Sequence, residues 1–110
     1  MNPEELQVAA FEIILNSGNA RTSVHEAFTA MRESSYDRAS QLLETANEEL
    51  LLAHQAQTKL LQEYAGGTEI KIEIIMVHAQ DHLMTTMTLR EVALEMLELY
   101  KKLGKEGADG

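Results

Sequence analysis

The sequence predicts an all-α fold, an antiparallel three-helix bundle, and three observations lead to this prediction. Apolar residues recur at spacings of three and four through long segments of the 110-residue chain. Helix-breaking residues are few, one Pro and six Gly, and they are grouped. The connections between the segments are short, which favours up-down-up packing. We expect a single domain over residues 1–103, helices at about 3–33, 35–65 and 69–103, and a disordered tail over 104–110.

The first helix has a clear start signal. Asn2 is a good N-cap, Pro3 suits the first helical position, and Glu5 stands where a capping box places a carboxylate. The apolar register continues across Gly18, so we predict one long helix and not two short ones. The second segment has the clearest apolar stripe and ends at the helix-terminating "AGG".

The third segment begins ambiguously, because "TEIKIEIIMV" alternates charged residues with isoleucine as a half-buried strand does. Its length favours a helix, since the apolar pattern continues to Leu103 without a turn residue and no partner strand is found elsewhere. Between Ile70 and Met87 this helix is apolar on two sides, which two helices of the same chain cannot both cover. We therefore expect a partner subunit on the second side.

The net charge of −9, from 18 acidic and 9 basic residues, argues against two classes of partner. No Lys or Arg cluster can neutralise a run of phosphates, so we expect no binding to nucleic acid or to an anionic membrane. The N-terminal segment lacks the basic flank of a secretory signal, and no apolar run approaches the roughly 20 residues of a membrane span. We expect a cytoplasmic protein. With no Cys, disulfides, thiolate nucleophiles and Cys-ligated zinc are excluded.

His78 and His82 stand four residues apart in the apolar segment "IIMVHAQDHLMTTM", so on a helix they lie one above the other. Helices present zinc with pairs at this spacing. The zinc-peptidase signature needs Glu directly after the first His, however, and Ala79 occupies that position. A third ligand would have to come from His25, His54 or a carboxylate, and none has a characteristic spacing. Zinc is the weakest of three interpretations of this segment.

Asp81 lies one row away from the two histidines, in the stripe that a partner subunit would cover. The second interpretation is that all three polar residues form a hydrogen-bonded cluster at a helix interface. A carboxylate buried by a partner, however, needs a cation, a proton or several donors. If copies of Asp81 converge on an oligomer axis, a hard cation such as Mg²⁺ would balance their charge.

The third interpretation is nucleophilic, with the neutral imidazole of His78 carrying a phosphoryl group as phosphohistidine. Such a carrier needs an exposed nitrogen and a neighbour that orients the ring or binds a phosphate oxygen, which His82 can supply. Phosphoryl transfer depends mainly on in-line positioning and charge stabilisation, so little further machinery is required. A mid-helix position and acidic surroundings would keep the group transferable.

The segment "VHAQDHLMT" resembles the active-site segment of enzyme IIA of the lactose/cellobiose class of the bacterial phosphoenolpyruvate-dependent sugar phosphotransferase system. The resemblance covers nearly the whole chain. Its further matching segments, in the expected order, are "NSGNAR" (16–21), "AHQAQTKLL" (53–61), "AGG" (65–67) and "LELYKKL" (97–103).

This resemblance implies a homotrimer of three-helix protomers that carries phosphate. His78 matches the histidine that accepts the phosphoryl group from the histidine phosphocarrier protein and passes it to a cysteine of the IIB component, while sugar enters through the IIC permease. Asp81 matches the aspartate whose three copies surround a divalent cation, Mg²⁺, at the trimer axis. Gln80 and His82 match residues of the same active-site segment, so we expect assisting roles for them. Ala79 is more similar to the cellobiose and diacetylchitobiose branch than to the lactose branch.

One alternative from a different functional class remains open. A non-enzymatic or regulatory helical adaptor would use the apolar surface of the third helix only to oligomerise and bind partners. Phosphate on His78 would distinguish a carrier from such an adaptor, because an adaptor needs no nucleophile.

Overall fold

Three long helices lie side by side in the computed structural model, which describes the backbone of residues 2–109 and the side chains of residues 2–104. They are α1 (Pro3–Arg32), α2 (Tyr36–Ala65) and α3 (Ile74–Asp109). The bundle is elongated, with extents of 62 × 20 × 19 Å. The all-α three-helix fold is therefore confirmed, and no strand occurs in residues 2–109.

The predicted start and continuity of α1 are both confirmed. The side chain of Asn2 accepts a hydrogen bond from the backbone N–H of Glu5 at 2.8 Å, and Pro3 occupies the first helical position. This cap satisfies a backbone donor that has no partner within the helix. The helix runs through Gly18 without a break, because its neighbours on both sides keep apolar residues against the core.

Small side chains recur on the buried sides of α1 and α2, the two helices with the most extensive mutual contact. Buried alanines recur at seven-residue intervals on both helices, and each returns to nearly the same face after two turns. Because the distance between packed helices depends on the side chains at the contact, alanines let α1 and α2 approach closely. These alanines are Ala20 and Ala27 on α1 and Ala39, Ala46 and Ala53 on α2. The two helices thus form the tightly packed support on which α3 lies.

The third helix begins at Ile74, and the prediction that it begins at about Glu69 is wrong. Gly67, with φ of 96°, follows the end of α2, and residues 68–73 carry neither helix nor strand. The carbonyl of Glu73 accepts the first bonds of the new helix, from the N–H groups of Met76 and Val77. The β-branched residues that alternate in this segment are poor helix formers, which accounts for the later start of α3.

At its other end α3 continues to Asp109, past Leu103, where we expected it to end. The predicted disorder of residues 104–110 falls mainly on 105–110, whose side chains lie outside the described residues, and it stays a prediction. No helix within residues 2–109 is both long enough and apolar enough to cross a lipid bilayer.

One side of α3 packs on the other two helices, and the opposite side carries apolar residues in contact with solvent. Leu83 and Ala79 are fully buried on the inner side. We call the opposite side the outer face of α3. Its large apolar residues are Ile74, Val77, Met84, Val92 and Leu99, all of which are about half or more exposed. A row of exposed, large apolar side chains on one side of a helix indicates an interaction surface.

Among the residues with described side chains, the hydroxyl groups of Ser17 and Thr86 are buried in the core without a hydrogen-bond partner. Burying a polar group without a partner destabilises the folded state, whereas an apolar group of the same shape does not. We expect Thr86→Val to raise the free energy of unfolding by about 1 kcal/mol, measured by urea denaturation. The matched control is Thr45→Val, because the exposed Thr45 hydroxyl donates to the Gln41 carbonyl at 3.1 Å. A loss of stability in Thr86→Val, or an equal gain in Thr45→Val, would contradict this account.

Candidate functional site

The two histidines of the candidate site lie near the start of α3, on one side of the helix. His78 is exposed and His82, one turn later, is half-buried. Their ring centroids are 6.0 Å apart, with an interplanar angle of 39°. Neither imidazole forms a hydrogen bond or an ion pair with another described residue. His78 therefore presents an imidazole that a partner protein can approach, with a second imidazole beside it.

His78 lies closer to a helix terminus than the sequence predicted. Because α3 begins at Ile74, His78 occupies its second turn, and the expected mid-helix position is wrong. The partial positive charge of a helix N-terminus favours a nearby anion, but the effect falls off within the first turn. The backbone thus gives weak support to a negative group on His78.

His82 lies in the groove between α1 and α3. A Cβ atom added to Gly18 of α1 would lie 3.8 Å from the Nε2 atom of His82. The ring is therefore next to the bare backbone of α1. This contact could not be predicted from the sequence. The two residues belong to separate helices, and a glycine adds nothing to the apolar pattern from which packing is predicted.

Asp81 projects from the outer face of α3. Each residue of a helix advances by about 100°, so Asp81 lies nearly opposite both Ala79 and Leu83, which are fully buried. Its side chain is exposed and has no hydrogen bond or ion pair with the other described residues. Its backbone carbonyl accepts a bond from the Thr85 hydroxyl at 2.7 Å. The carboxylate thus stands alone among apolar side chains.

Gln80 lies on the flank of α3 that faces α2, away from His78. It forms a hydrogen bond with Gln57 of α2, and its amide nitrogen lies 3.8 Å from the Met76 sulfur. Within one copy of the chain the structure does not bring Gln80 to the two histidines. Gln57, inside the segment "AHQAQTKLL", was not singled out from the sequence, although its half-buried polar side chain joins α2 to α3.

A second polar contact fixes α3 on α2 further along the helix. The Nε atom of Arg90 donates a hydrogen bond to the backbone carbonyl of Leu43 at 2.8 Å. Because the donor is charged and half-buried, this bond is stronger than a neutral one. Gln80 and Arg90 thus fasten the helix that carries the histidines at two points along its length.

A single copy does not assemble a zinc site from the candidate ligands. In the described part of the chain, no three His, Asp or Glu side chains come close enough to hold a metal ion together. Neither His25 nor His54 therefore joins His78 and His82. A metal bound by Asp81 would need carboxylates from further copies of the chain.

The profile of the family described as "PTS system, Lactose/Cellobiose specific IIA subunit" matches residues 8–101. The lactose-specific EIIA component of the phosphotransferase system of Staphylococcus epidermidis is 47% identical over 102 residues, which cover 93% of this chain and 98% of that protein.

Two solved structures share the fold. The crystal structure of PtcA from S. mutans has 83% sequence identity and a TM-score of 0.91, covering 92% of this chain and 99% of that one. The IIA(chitobiose) protein of the N,N′-diacetylchitobiose branch of the Escherichia coli phosphotransferase system, solved in complex with HPr, has 35% identity and a TM-score of 0.78. That match covers 90% of this chain and 96% of that one. The chain therefore belongs to the lactose/cellobiose-specific IIA subunits of the sugar phosphotransferase system and is a component of that phosphotransferase pathway.

Proposed function

We propose that the chain is a phosphohistidine carrier in which His78 accepts a phosphoryl group from the histidine phosphocarrier protein, HPr, and passes it to a cysteine of a IIB component in the cytoplasm. The observation that carries this proposal is the exposed, unpaired imidazole of His78 with a second imidazole 6.0 Å away. Membership of the IIA family and the E. coli relative solved with HPr support the direction of transfer. The IIC permease would then take up the sugar.

Both half-reactions use the same nitrogen of His78. In the first, this nitrogen attacks phosphorus on the donor phosphohistidine, and the N–P bond of the donor breaks. In the second, the IIB thiolate attacks phosphorus, and the N–P bond of His78 breaks. Because attacking and leaving atoms must be in line, each partner protein completes its own transition state by docking over the exposed ring. His82 can donate a hydrogen bond to a phosphoryl oxygen on His78.

The surroundings of His78 favour transfer over storage of the phosphoryl group. The helix start gives only weak support to an anion in the second turn. The chain has a net charge of −9, and no Lys or Arg side chain hydrogen-bonds either imidazole in the described residues. Phosphate on His78 would therefore be held by its bond to nitrogen more than by charged neighbours.

We further propose that three copies assemble through the outer face of α3. That face carries a row of large apolar residues, interrupted by Asp81, Thr88 and Glu95, and an oligomer would remove the apolar surface from water. A threefold arrangement brings three Asp81 carboxylates together. Three such oxygen donors suit a divalent cation of the Mg²⁺ type, and one copy of the chain offers no complete site among its described residues. The cation would offset most of the charge of the three carboxylates, and it takes no part in either transfer step.

For the sugar we propose a β-glucoside disaccharide of the cellobiose or diacetylchitobiose type. Ala79 and the segment "NSGNAR" are similar to that branch. The named relatives do not separate the sugars, because the S. epidermidis protein is lactose-specific and the E. coli structure belongs to the diacetylchitobiose branch. The test uses a strain from which this chain has been deleted. If supplying the chain restores growth on cellobiose but not on lactose, the result supports the proposal. Growth on lactose alone would contradict it.

Replacing the nucleophile tests the carrier function directly. With phosphoenolpyruvate, enzyme I and HPr, His78→Gln should take up no acid-labile phosphate, because no nucleophilic nitrogen remains at that position. His25→Gln, an exposed histidine on α1, is the matched control and should be phosphorylated at the normal rate. Phosphate uptake by folded His78→Gln would exclude His78 as the acceptor. A total lack of uptake by the unsubstituted protein would favour the adaptor alternative.

Asp81→Leu tests the proposed axis. Leucine removes three converging charges and adds apolar surface, so we expect a trimer at least as stable as the original, with no response to Mg²⁺ or a chelator. Sedimentation velocity and thermal unfolding with and without Mg²⁺ provide the measurements. Glu91→Leu removes an exposed carboxylate elsewhere on α3 and should retain the original response to the cation. A monomeric Asp81→Leu protein would show that Asp81 holds the subunits together in another way.

A further inference from the structure

Gly18 stands in the middle of α1, where glycine is the least favourable residue apart from proline. The backbone does not require glycine there, because α1 is continuous and, among the glycines described, only Gly67 has a positive φ. A glycine inside a helix without a conformational reason often has a packing or functional one. That reason has to come from what lies against the helix.

The imidazole of His82 lies directly against Gly18. A Cβ atom on Gly18 would meet Nε2 of His82 at 3.8 Å and no other atom within 4 Å. This distance is an ordinary van der Waals contact, so a methyl group fits beside the ring. A larger side chain would extend beyond Cβ into the volume of the imidazole. The position therefore accepts a methyl group, whereas the His82 ring leaves little room for a larger side chain that extends toward α3.

The position of His82 determines how its ring faces His78. The two rings are 6.0 Å apart at 39°, and His82 is half-buried. Its imidazole has no hydrogen bond to another residue in the part of the chain with described side chains. Packing between α1 and α3 therefore holds the ring, and Gly18 is a residue of α1 that lies against it.

We propose that Gly18 is a positioning residue, because the absence of a side chain larger than a methyl group leaves the His82 ring its place between α1 and α3. The ring thereby keeps the orientation in which His82 serves a phosphoryl group on His78. The inference rests on the proposed function, in which His78 carries phosphate with His82 beside it. It also assigns a role to the segment "NSGNAR", which lies on a different helix from the nucleophile. Gly18 itself touches no reacting atom.

Substitutions of graded size at Gly18 separate a positioning role from general effects on α1. Gly18→Ala should leave the rate of transfer from phosphorylated HPr nearly unchanged. Gly18→Val should slow that transfer about 10- to 100-fold, because small displacements of aligned groups have effects of this size. Gln7→Val places the same side chain at an exposed position of α1 and should react normally. In ¹⁵N spectra, the imidazole resonances of His82 should shift in Gly18→Val and stay in place in Gly18→Ala.

A double-mutant cycle with His82→Ala decides whether Gly18 acts through His82. We expect Gly18→Val to cause no further slowing once the His82 ring is absent. Equal slowing in both backgrounds, a normal rate in folded Gly18→Val, or a normal rate in His82→Ala would each overturn the proposal. If Gly18→Val does not fold, Gly18→Leu takes its place in the cycle. Absence of phosphate on His78 in the unsubstituted protein would instead contradict the proposed function.

Discussion

The rotation of α3 about its own axis is the constraint on which the rest of the molecule depends. Burial of Ala79 and Leu83 against the other helices fixes that rotation. The rotation in turn determines the direction in which each polar side chain of the site projects. Asp81 is then directed away from the core, while Gln80 and the two histidines lie on opposite flanks. The polar residues within positions 78–82 therefore reach three different environments: the outer face, the flank beside α2 and the side that carries both histidines.

Two of the polar contacts between α2 and α3 are sensitive to that rotation. The pair Gln57–Gln80 and the bond from Arg90 to the Leu43 carbonyl lie on the same flank and are separated by almost three helical turns. Turning α3 by one residue would break both and leave half-buried polar groups without partners, which is unfavourable. The apolar core alone would permit small rotations, because much of the surface of α3 in this region is apolar. Directional hydrogen bonds select one of them.

Periodicity in the sequence was sufficient to predict the three helices, the cap of α1 and the surplus of apolar surface on α3. Hydrophobicity alone does not distinguish the two apolar rows of α3, because the row of Ile74 and Val77 is as hydrophobic as the row of Met76 and Leu83, but Asp81 assigns the first row to a partner subunit. The structure buries the second row and exposes the first. The continuous apolar pattern predicts a helix start at about Glu69, but α3 begins at Ile74. The alternating β-branched residues of 68–73 disfavour a helix there.

The candidate site was predictable only where it is local in sequence. His78 and His82 share a side because residues at i and i+4 do so, and the structure keeps them adjacent. Gln80 is close to His78 in sequence but not in space, because residues two apart on a helix do not face each other. The contact between Gly18 and His82 joins two helices and depends on how they pack, which no local pattern encodes.

In this chain the residues that pack α1 against α2 are different from those of the outer face of α3. Those two helices pack closely through buried alanines and do not depend on the outer face of α3 for their contact. Substitutions on that outer face or beside His78 can therefore alter which proteins dock without removing the packing that maintains the bundle. Single substitutions can therefore change which partners such a protein binds, because the residues of the docking surface are different from those that stabilise the interior.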